Sequence, residues 1–378
     1  MADVTAERLD VDGLLADPAT RIVVCCGAGG VGKTTTAAAV GLRAAEVHGR
    51  RTVVLTIDPA RRLAQSMGLS ELDNTPRQVK GIDGDNGGEL HAMMLDMKRT
   101  FDEVVQQHTT PQRAAEIFAN PFYQAMSSTF AGTQEYMAME KLGQLRATDE
   151  WDLIVVDTPP SRSALDFLDA PARLSRFLDG RMLRMLLAPA RSGGRSMFSL
   201  VTASFGLFSR TVQKVLGAQL LTDLSGFVAA LDSMFGGFRQ RADQTYRILQ
   251  DPQTAFLLVA APERDAVREA AYFAERLVAD AMPLAGLVLN RMHRTDVPDL
   301  PADESEAAAD ALTAAGDSPL TADALRIHAG LVRQTEREQR VAATFTDAFP
   351  AVPTVSVTAQ PADVHDVDGL RTIGSLLA

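Results

Sequence analysis

Residues Gly27 to Thr34 read GAGGVGKT, and this stretch decides the fold because it matches the phosphate-binding pattern G-x-x-x-x-G-K-[ST]. A short apolar run at 22–26 precedes it, and a run rich in Thr and Ala at 35–40 follows. A strand, a glycine-rich turn and a helix in this order direct backbone N–H groups and the positive end of a helix dipole toward one anion. The stretch predicts a site for a nucleoside triphosphate; a plain glycine turn between strand and helix is the less specific alternative.

The charged and hydroxyl residues of this motif have separate predicted roles. We expect Lys33 to reach the β- and γ-phosphate oxygens and to act in catalysis, and the Thr34 hydroxyl to ligate Mg²⁺. The residues predicted to surround the phosphates are Gly27, Gly29, Gly30, Val31, Gly32, Lys33, Thr34 and Thr35.

The composition narrows the class of protein. The chain has 378 residues, of which 46% are hydrophobic, and this suffices for a sizeable core in one large domain or two. Its net charge of −11 argues against a polyanion as the main partner, so we expect no binding to nucleic acid.

The cysteines and the apolar segments favour a cytoplasmic protein. The two cysteines are adjacent in the first predicted strand, where side chains alternate faces, and such sparse use is typical of a reducing compartment. The six histidines show no metal-ligand spacing. The amino terminus has no apolar signal segment, and no stretch of about 18 uncharged apolar residues occurs.

Apolar runs recur along the chain with helical patterns between them. Several are apolar throughout, as a sheet buried on both faces requires. Their alternation with helices predicts an α/β fold, a doubly wound and mostly parallel sheet that carries the phosphate-binding loop (P-loop). The predicted strands are 22–26, 52–57, 90–95, 152–157, 255–261, 284–290 and 352–357.

Two long stretches, 98–148 and 170–252, break the alternation and have a helical pattern rich in Met, Phe, Leu and Ala. We interpret them as one inserted α-helical subdomain. The nucleotide-binding core then comprises 1–97, 149–169 and 253–378.

Part of the second stretch allows two interpretations. PARSGGRS at 189–196 predicts a mobile loop, and the helix predicted after it carries large apolar residues. We favour ordinary helix packing as the explanation of these apolar residues. A groove that binds a hydrophobic client is the more specific alternative. The residues concerned are Phe198, Phe205, Leu207 and Phe208.

Two aspartates follow predicted strands, at the edge of the sheet where the P-loop lies. Asp157 ends an apolar strand, which is the expected place for a Mg²⁺ partner. Asp58 follows the strand at 52–57 and is the candidate that orients the attacking water, and hence the second predicted catalytic residue. Capping of a helix is the alternative role for either aspartate.

Four segments in this order resemble one family of proteins. They are the GGVGKTT loop, LTIDPARRLAQSMG at 55–68, VVDTPPSRSALDFL at 155–168 and LVLNRM at 287–292. Together they are similar to the arsenite-pump and tail-anchored-protein-targeting ATPases, which share a P-loop class with the MinD and ParA partitioning ATPases. The resemblance covers about 20 to 375 and is weakest in the helical part.

The resemblance implies roles for five residues. Asp58 matches the switch I aspartate that positions water, and Asp157 the switch II aspartate near Mg²⁺. Asn290 matches an asparagine that recognises adenine, which favours ATP. Glu263 matches a glutamate that approaches the partner's nucleotide, and Pro361 falls in the adenine-lining loop, although for these two a plain turn residue is the open alternative.

The chain departs from the family pattern in three respects. Ala28 stands where the family usually carries a second lysine, which crosses the dimer interface to the partner's phosphates. No C-x-x-C pair is present, so we expect no structural zinc. Cys25 and Cys26 lie in a predicted core strand, so arsenite binding through thiolates is not expected. The resemblance is thus to a bacterial member without the signature lysine and the zinc pair.

The favoured hypothesis is a cytosolic Mg²⁺-dependent ATPase whose dimer closes around ATP and acts on a hydrophobic client or a membrane-protein partner. Ala28 implies slow hydrolysis or a heterodimer in which a lysine-bearing paralogue completes the site. A nucleotide-sensing, weakly catalytic subunit and a positioning ATPase of the MinD or ParA type are alternatives. A small-molecule kinase is disfavoured, because the switch segments indicate water as the nucleophile.

Overall fold

The computed structural model describes residues 7–58, 62–121, 133–159 and 243–378, together with residues 123, 124, 127 and 240. The PARSGGRS segment and the Phe-rich helix predicted after it lie outside these residues, so both interpretations of that region stay predictions.

One eight-stranded sheet organises the described chain, in the order β3-β4-β2-β5-β1-β6-β7-β8. Every neighbouring pair is parallel except β3 and β4. The predicted α/β fold class is therefore confirmed. The strands are β1 (Ile22–Cys26), β2 (Arg51–Thr56), β3 (Arg77–Gln78), β4 (Glu89–Met94), β5 (Leu153–Asp157), β6 (Thr254–Ala260), β7 (Leu284–Met292) and β8 (Thr354–Thr358).

The central strands β1, β5 and β6 are buried at every position, as their continuous apolar sequences require. Seven of these strands correspond to the predicted ones. The two-residue β3 is the exception, because both of its side chains are exposed and so short a strand shows no alternation.

Helices connect the strands and cover the sheet. None of those in the described residues combines the length and the apolar character needed to cross a membrane. The helices named here are α1 (Val11–Ala16), α2 (Lys33–Glu46), α3 (Arg62–Ser66), α4 (Met97–His108), α5 (Pro111–Ala119), α6 (Thr133–Ala147), α7 (Arg264–Ala279), α8 (Ala302–Ala315), α9 (Pro319–Ala348) and α10 (Val367–Leu377).

The chain divides into two compact units. The first holds the sheet together with α1 to α3 and α7 to α10. The second holds the described residues between Leu95 and Ala147 and between Asp166 and Arg247. That these form a single inserted helical subdomain stays a prediction, since most of the second range lies outside the described residues.

In the second unit, α4 and α6 are joined by a largely buried ion pair. The Lys141 ammonium lies 2.8 Å from the Glu103 carboxylate, and the Lys141 side chain is only 9% exposed. The ring of Phe101 packs edge-on against that of Tyr123, whose hydroxyl donates to Asp102. This unit therefore combines an aromatic core with paired charges.

Helix α2, which follows the P-loop, lies closely against the sheet because small residues face it. Most of its alanines are buried, and Gly41 sits over β2 and β4. A Cβ at Gly41 would lie 2.6 Å from Cγ2 of Val54 and 3.4 Å from Cδ1 of Leu90. The glycine thus sets the distance between the P-loop helix and the sheet.

We expect Gly41→Ala to destabilise the fold relative to a matched glycine substitution. The new methyl group would overpack the buried side chain of Val54, which costs about 1–3 kcal/mol. Gly330 in α9 is the control, since a Cβ there would meet no atom within 4 Å. Gly330→Ala should raise the free energy of unfolding by about 0.5–1 kcal/mol through helix propensity alone.

Urea unfolding of both variants measures this difference. The free energy of unfolding of Gly41→Ala should be lower than that of Gly330→Ala by at least about 1 kcal/mol. Equal stabilisation by the two alanines would contradict close packing at Gly41.

Candidate functional site

A cavity of about 950 Å³ opens where the parallel strands end. P-loop residues line one part of it and Asp58, after β2, lines another. Residues at and after the ends of β7 and β8 line much of the remainder. In doubly wound sheets ligands bind at the carboxyl ends of the strands, where the strand order reverses. Strand β1 lies centrally in the sheet between β5 and β6, so the P-loop that follows it occupies this place.

The P-loop glycines are needed for conformation and for space. Gly32, the N-terminal cap of α2, has a φ of 97°. A Cβ at Gly32 would lie 2.1 Å from Nδ2 of Asn290, and one at Gly27 would lie 2.0 Å from the carbonyl oxygen of Val259. A side chain at either position would therefore displace the loop from its supports.

Lys33 is held inside the loop. It is 6% exposed, and its Nζ donates to the carbonyl oxygen of Ala28 at 2.7 Å. Burial lowers the pKa of Lys33, and the nearby carboxylate of Asp157 partly opposes this shift. A buried ammonium group is attracted to an incoming anion more strongly than a solvated one, because there is less water to screen the charges.

Asp157 joins three parts of the site. Its Oδ2 accepts hydrogen bonds from the hydroxyls of Thr34 and Thr56, both at 2.8 Å. These bonds connect the end of β5 to the first turn of α2 and to the end of β2. Asp157 is fully buried, and no group in the described part of the chain bonds to its Oδ1.

The environment of Asp157 fits a divalent cation. Burial raises the pKa of its carboxyl to about 6, although the Thr34 and Thr56 hydroxyls lower it. Buried carboxylates are normally paired with a charge or a metal ion. The Thr34 hydroxyl and Asp157 Oδ1, which has no partner among the described residues, are hard oxygen donors of the kind that Mg²⁺ prefers.

Asp58 lies beside these groups. It lies two residues after the end of β2, lines the cavity and is half-buried. Its backbone N–H donates to the Thr56 hydroxyl at 3.2 Å, so Thr56 contacts both predicted acidic residues. Lys33, Thr34 and Asp58 thus line the cavity, and Asp157 is bonded to Thr34, so the structure brings these four residues close together.

Asn290 lies near the end of β7 and reaches back to the P-loop. Its Nδ2 donates to the carbonyl oxygen of Val31 at 2.8 Å, and its Oδ1 accepts from the backbone N–H of Arg291 at 3.0 Å. A carboxamide can make two further hydrogen bonds. Asn290 therefore supports the loop and lines the cavity at the same time.

Two predicted residues lie elsewhere. Glu263 is the N-cap residue of α7 and lines a second cavity of about 250 Å³, beside Ala28 and Val31 of the P-loop. Pro361 is exposed, and its neighbours Gln360 and Ala362 line the main cavity in its place. The roles that the resemblance gives to Glu263 and Pro361 stay predictions.

The structure adds residues that the sequence does not single out. Thr56 is one, although it lies within the LTID segment. Another is His293, whose backbone N–H donates to Oε2 of Glu338 at 2.7 Å and whose ring contacts Oε1 at 2.7 Å. Glu338 lies on α9, so only the folded chain brings it to the cavity wall.

A comparison with protein families decides the classification. Residues 20–307 match the family described as anion-transporting ATPase. The chain belongs to this family. The predicted resemblance to arsenite-pump and targeting ATPases is thereby confirmed.

Three relatives illustrate the breadth of this anion-transporting ATPase family. An ATPase GET3 of Malassezia globosa is 27% identical over 173 residues, 46% of this chain and 49% of the relative. A putative arsenical pump-driving ATPase of Prosthecochloris vibrioformis is 30% identical over 162 residues, 41% of this chain and 36% of the relative. An ATPase ASNA1 homolog of Cryptosporidium parvum is 26% identical over 278 residues, 72% of this chain and 65% of the relative. The first two matches span half or less of the relative's length.

In this anion-transporting ATPase fold, Asp157→Asn should raise the stability of the metal-free protein above about pH 6. The folded pKa of about 6 lies above the ordinary 3.8, so the fold favours the protonated carboxyl. The stabilisation from this group is complete below about pH 4 and is lost as the pH rises to 6. The neutral amide avoids that loss, which amounts to roughly 3 kcal/mol at most.

Thermal unfolding in chelator, from pH 4.5 to pH 8, measures this effect. The gain in melting temperature should grow with pH and level off above about 6, while the exposed Asp299→Asn should show no such trend. A gain independent of pH would show that the charge of Asp157 is not its cause.

Proposed function

We propose that this chain is a Mg²⁺-dependent ATPase that converts ATP and water to ADP and phosphate in the main cavity. The observation that carries the proposal is that Lys33, Thr34 and Asp58 line this cavity while Asp157, bonded to Thr34, keeps a buried carboxylate oxygen without a partner among the described residues. The relatives named as ATPases support the same activity.

In this proposal the P-loop binds the phosphates. Backbone N–H groups and the start of α2 hold negative charge, and Lys33 leaves the carbonyl of Ala28 to pair with phosphate oxygens. Phosphoryl transfer depends mainly on positioning and on stabilising this charge. Asn290, by resemblance, contacts the adenine, which favours ATP as the nucleotide.

Two oxygen donors, Thr34 and Asp157, would hold Mg²⁺. When bound, the ion supplies positive charge that neutralises the developing charge on the phosphates. Asp58 orients the water that attacks the terminal phosphate; the bond from that phosphorus to the bridging oxygen breaks, and the leaving group is ADP. Thr56 positions both aspartates through its hydroxyl.

Asp58→Asn should abolish turnover while sparing nucleotide binding, because the substitution removes the group that orients water. The measurement is phosphate release from ATP and Mg²⁺, with nucleotide affinity determined by calorimetry. Lys33→Ala is the contrasting variant and should lose binding as well. Turnover by Asp58→Asn at the wild-type rate would refute the assigned role.

The wild-type result also separates this proposal from its main alternative. ATP binding without turnover would favour the nucleotide-sensing subunit over the enzyme. The molecular mass in solution, recorded with and without ATP, shows whether a homodimer forms.

We infer further that the active form is a dimer, with a lysine-bearing paralogue as the favoured partner. Ala28 is buried where the family usually has its second lysine. The small cavity beside it is lined by Glu263, Asp265 and Glu269, whose charges suit a cation from outside the subunit. Coupling of hydrolysis to a hydrophobic client or a membrane-protein partner rests on the resemblance alone.

Ala28→Lys should raise the turnover of the purified chain, because it restores the positive charge that the resemblance assigns to the partner's phosphates. The expected gain is at least about tenfold, since such contacts are worth several powers of ten in related enzymes. Ala28→Met, of similar reach without charge, is the control. Equal rates for the two variants would argue against a missing lysine.

A further inference from the structure

The end of β7 departs from regular strand geometry at Arg291. The register between β7 and β8 shifts between Leu289 and Met292, which marks a bulge. Arg291 has a φ of 61°. Of the non-glycine residues with positive φ in the described chain, Arg291 alone lies within a strand. An arginine in this conformation is strained, and such strain persists where the surroundings over-determine it.

Hydrogen bonds on both sides hold the bulge in place. The backbone N–H of Arg291 donates to Oδ1 of Asn290, whose Nδ2 is bonded to the P-loop. On the far side, the N–H of Ala359 donates to the carbonyl oxygen of Met292 at 3.0 Å. His293 follows with its two contacts to the buried Glu338. The segment is thus fixed to the P-loop, to the end of β8 and to α9.

The bulge leaves the side chain of Arg291 at the cavity wall. Arg291 is exposed and lines the main cavity. Its guanidinium makes no hydrogen bond or ion pair with the part of the chain that the structure describes. Bulges near sites commonly redirect a side chain, and this one holds a cation, without a partner among the described residues, at the wall of the cavity.

The order of the strands indicates which part of a nucleotide would lie next to Arg291. Asp58 follows β2 and Asp157 ends β5, both on one side of β1, whereas β7 lies two strands from β1 on the other side. At a strand spacing of about 4.8 Å, the end of β7 is displaced by roughly 10 Å from the end of β1, the strand that leads into the P-loop. That distance matches the separation between phosphate and base in an extended nucleotide, so this wall belongs to the nucleoside.

We propose that Arg291 is a nucleobase-binding residue whose planar guanidinium stacks on the face of the purine. The proposal rests on the proposed function, because it requires nucleotide in the main cavity. A guanidinium stacks on aromatic faces and attracts their π-electrons. Such a contact recognises a purine without reading its edges, so it strengthens ATP and GTP binding equally.

Arg291→Gly separates this contact from backbone effects. Glycine adopts a φ of 61° without strain, so the variant should unfold at the wild-type temperature or above it. Affinities for ATP, GTP and inorganic tripolyphosphate are measured by calorimetry with Mg²⁺. We expect about a tenfold loss for ATP and for GTP, the size of one partly desolvated cation–π contact, and less than about twofold for tripolyphosphate.

Two further variants complete the test. Arg294→Ala removes an exposed arginine three residues along, outside the cavity lining, and should bind all three ligands as the wild type does. Arg291→Lys keeps the charge without the planar group, so it should show most of the loss.

Each other result overturns the proposal in a distinct way. Equal weakening of all three ligands would assign Arg291 to phosphate, and full affinity of Arg291→Gly for ATP would exclude any contact. A wild-type chain that binds neither ATP nor tripolyphosphate would overturn the proposed function itself and this proposal with it.

Discussion

The bonds that two hydroxyls donate to one carboxylate oxygen organise this molecule. Thr34 and Thr56 both donate to Oδ2 of the buried Asp157, and together they join the P-loop helix to two neighbouring strands. Without these donors a charge in a fully buried position would be too costly to keep. Within the described part of the chain the second oxygen of Asp157 has no partner, so the interaction that holds the three elements together also leaves an oxygen donor available.

The rest of the site follows from the parallel sheet. The parallel strands all end at the same edge of the sheet, so the loops that carry the cavity residues start there. The residues proposed to bind the phosphates and Mg²⁺ therefore lie around β1, β2 and β5, and those proposed to bind the nucleoside lie on β7 and after β8. Asn290 connects the two halves, because its amide supports the P-loop carbonyl of Val31 from the end of β7.

The sequence predicts the fold and the phosphate end of the site, for reasons that are local. The P-loop is a contiguous motif, and Asp58 and Asp157 each follow an apolar run that is readable by itself. Thr56 and Asn290 act through partners 101 and 259 residues away, and no spacing rule links such pairs. The bulge at Arg291 depends on the register with β8, which the sequence does not encode in any short segment.

The long helix α9 is connected to the wall of the main cavity through one side chain. Its buried Glu338 is the group to which the backbone and ring of His293 are attached, and His293 lines the cavity. A displacement of α9 would therefore strain both contacts and move His293 at the cavity wall. A ligand held by His293 would oppose that displacement by the same free energy with which the displacement weakens its binding.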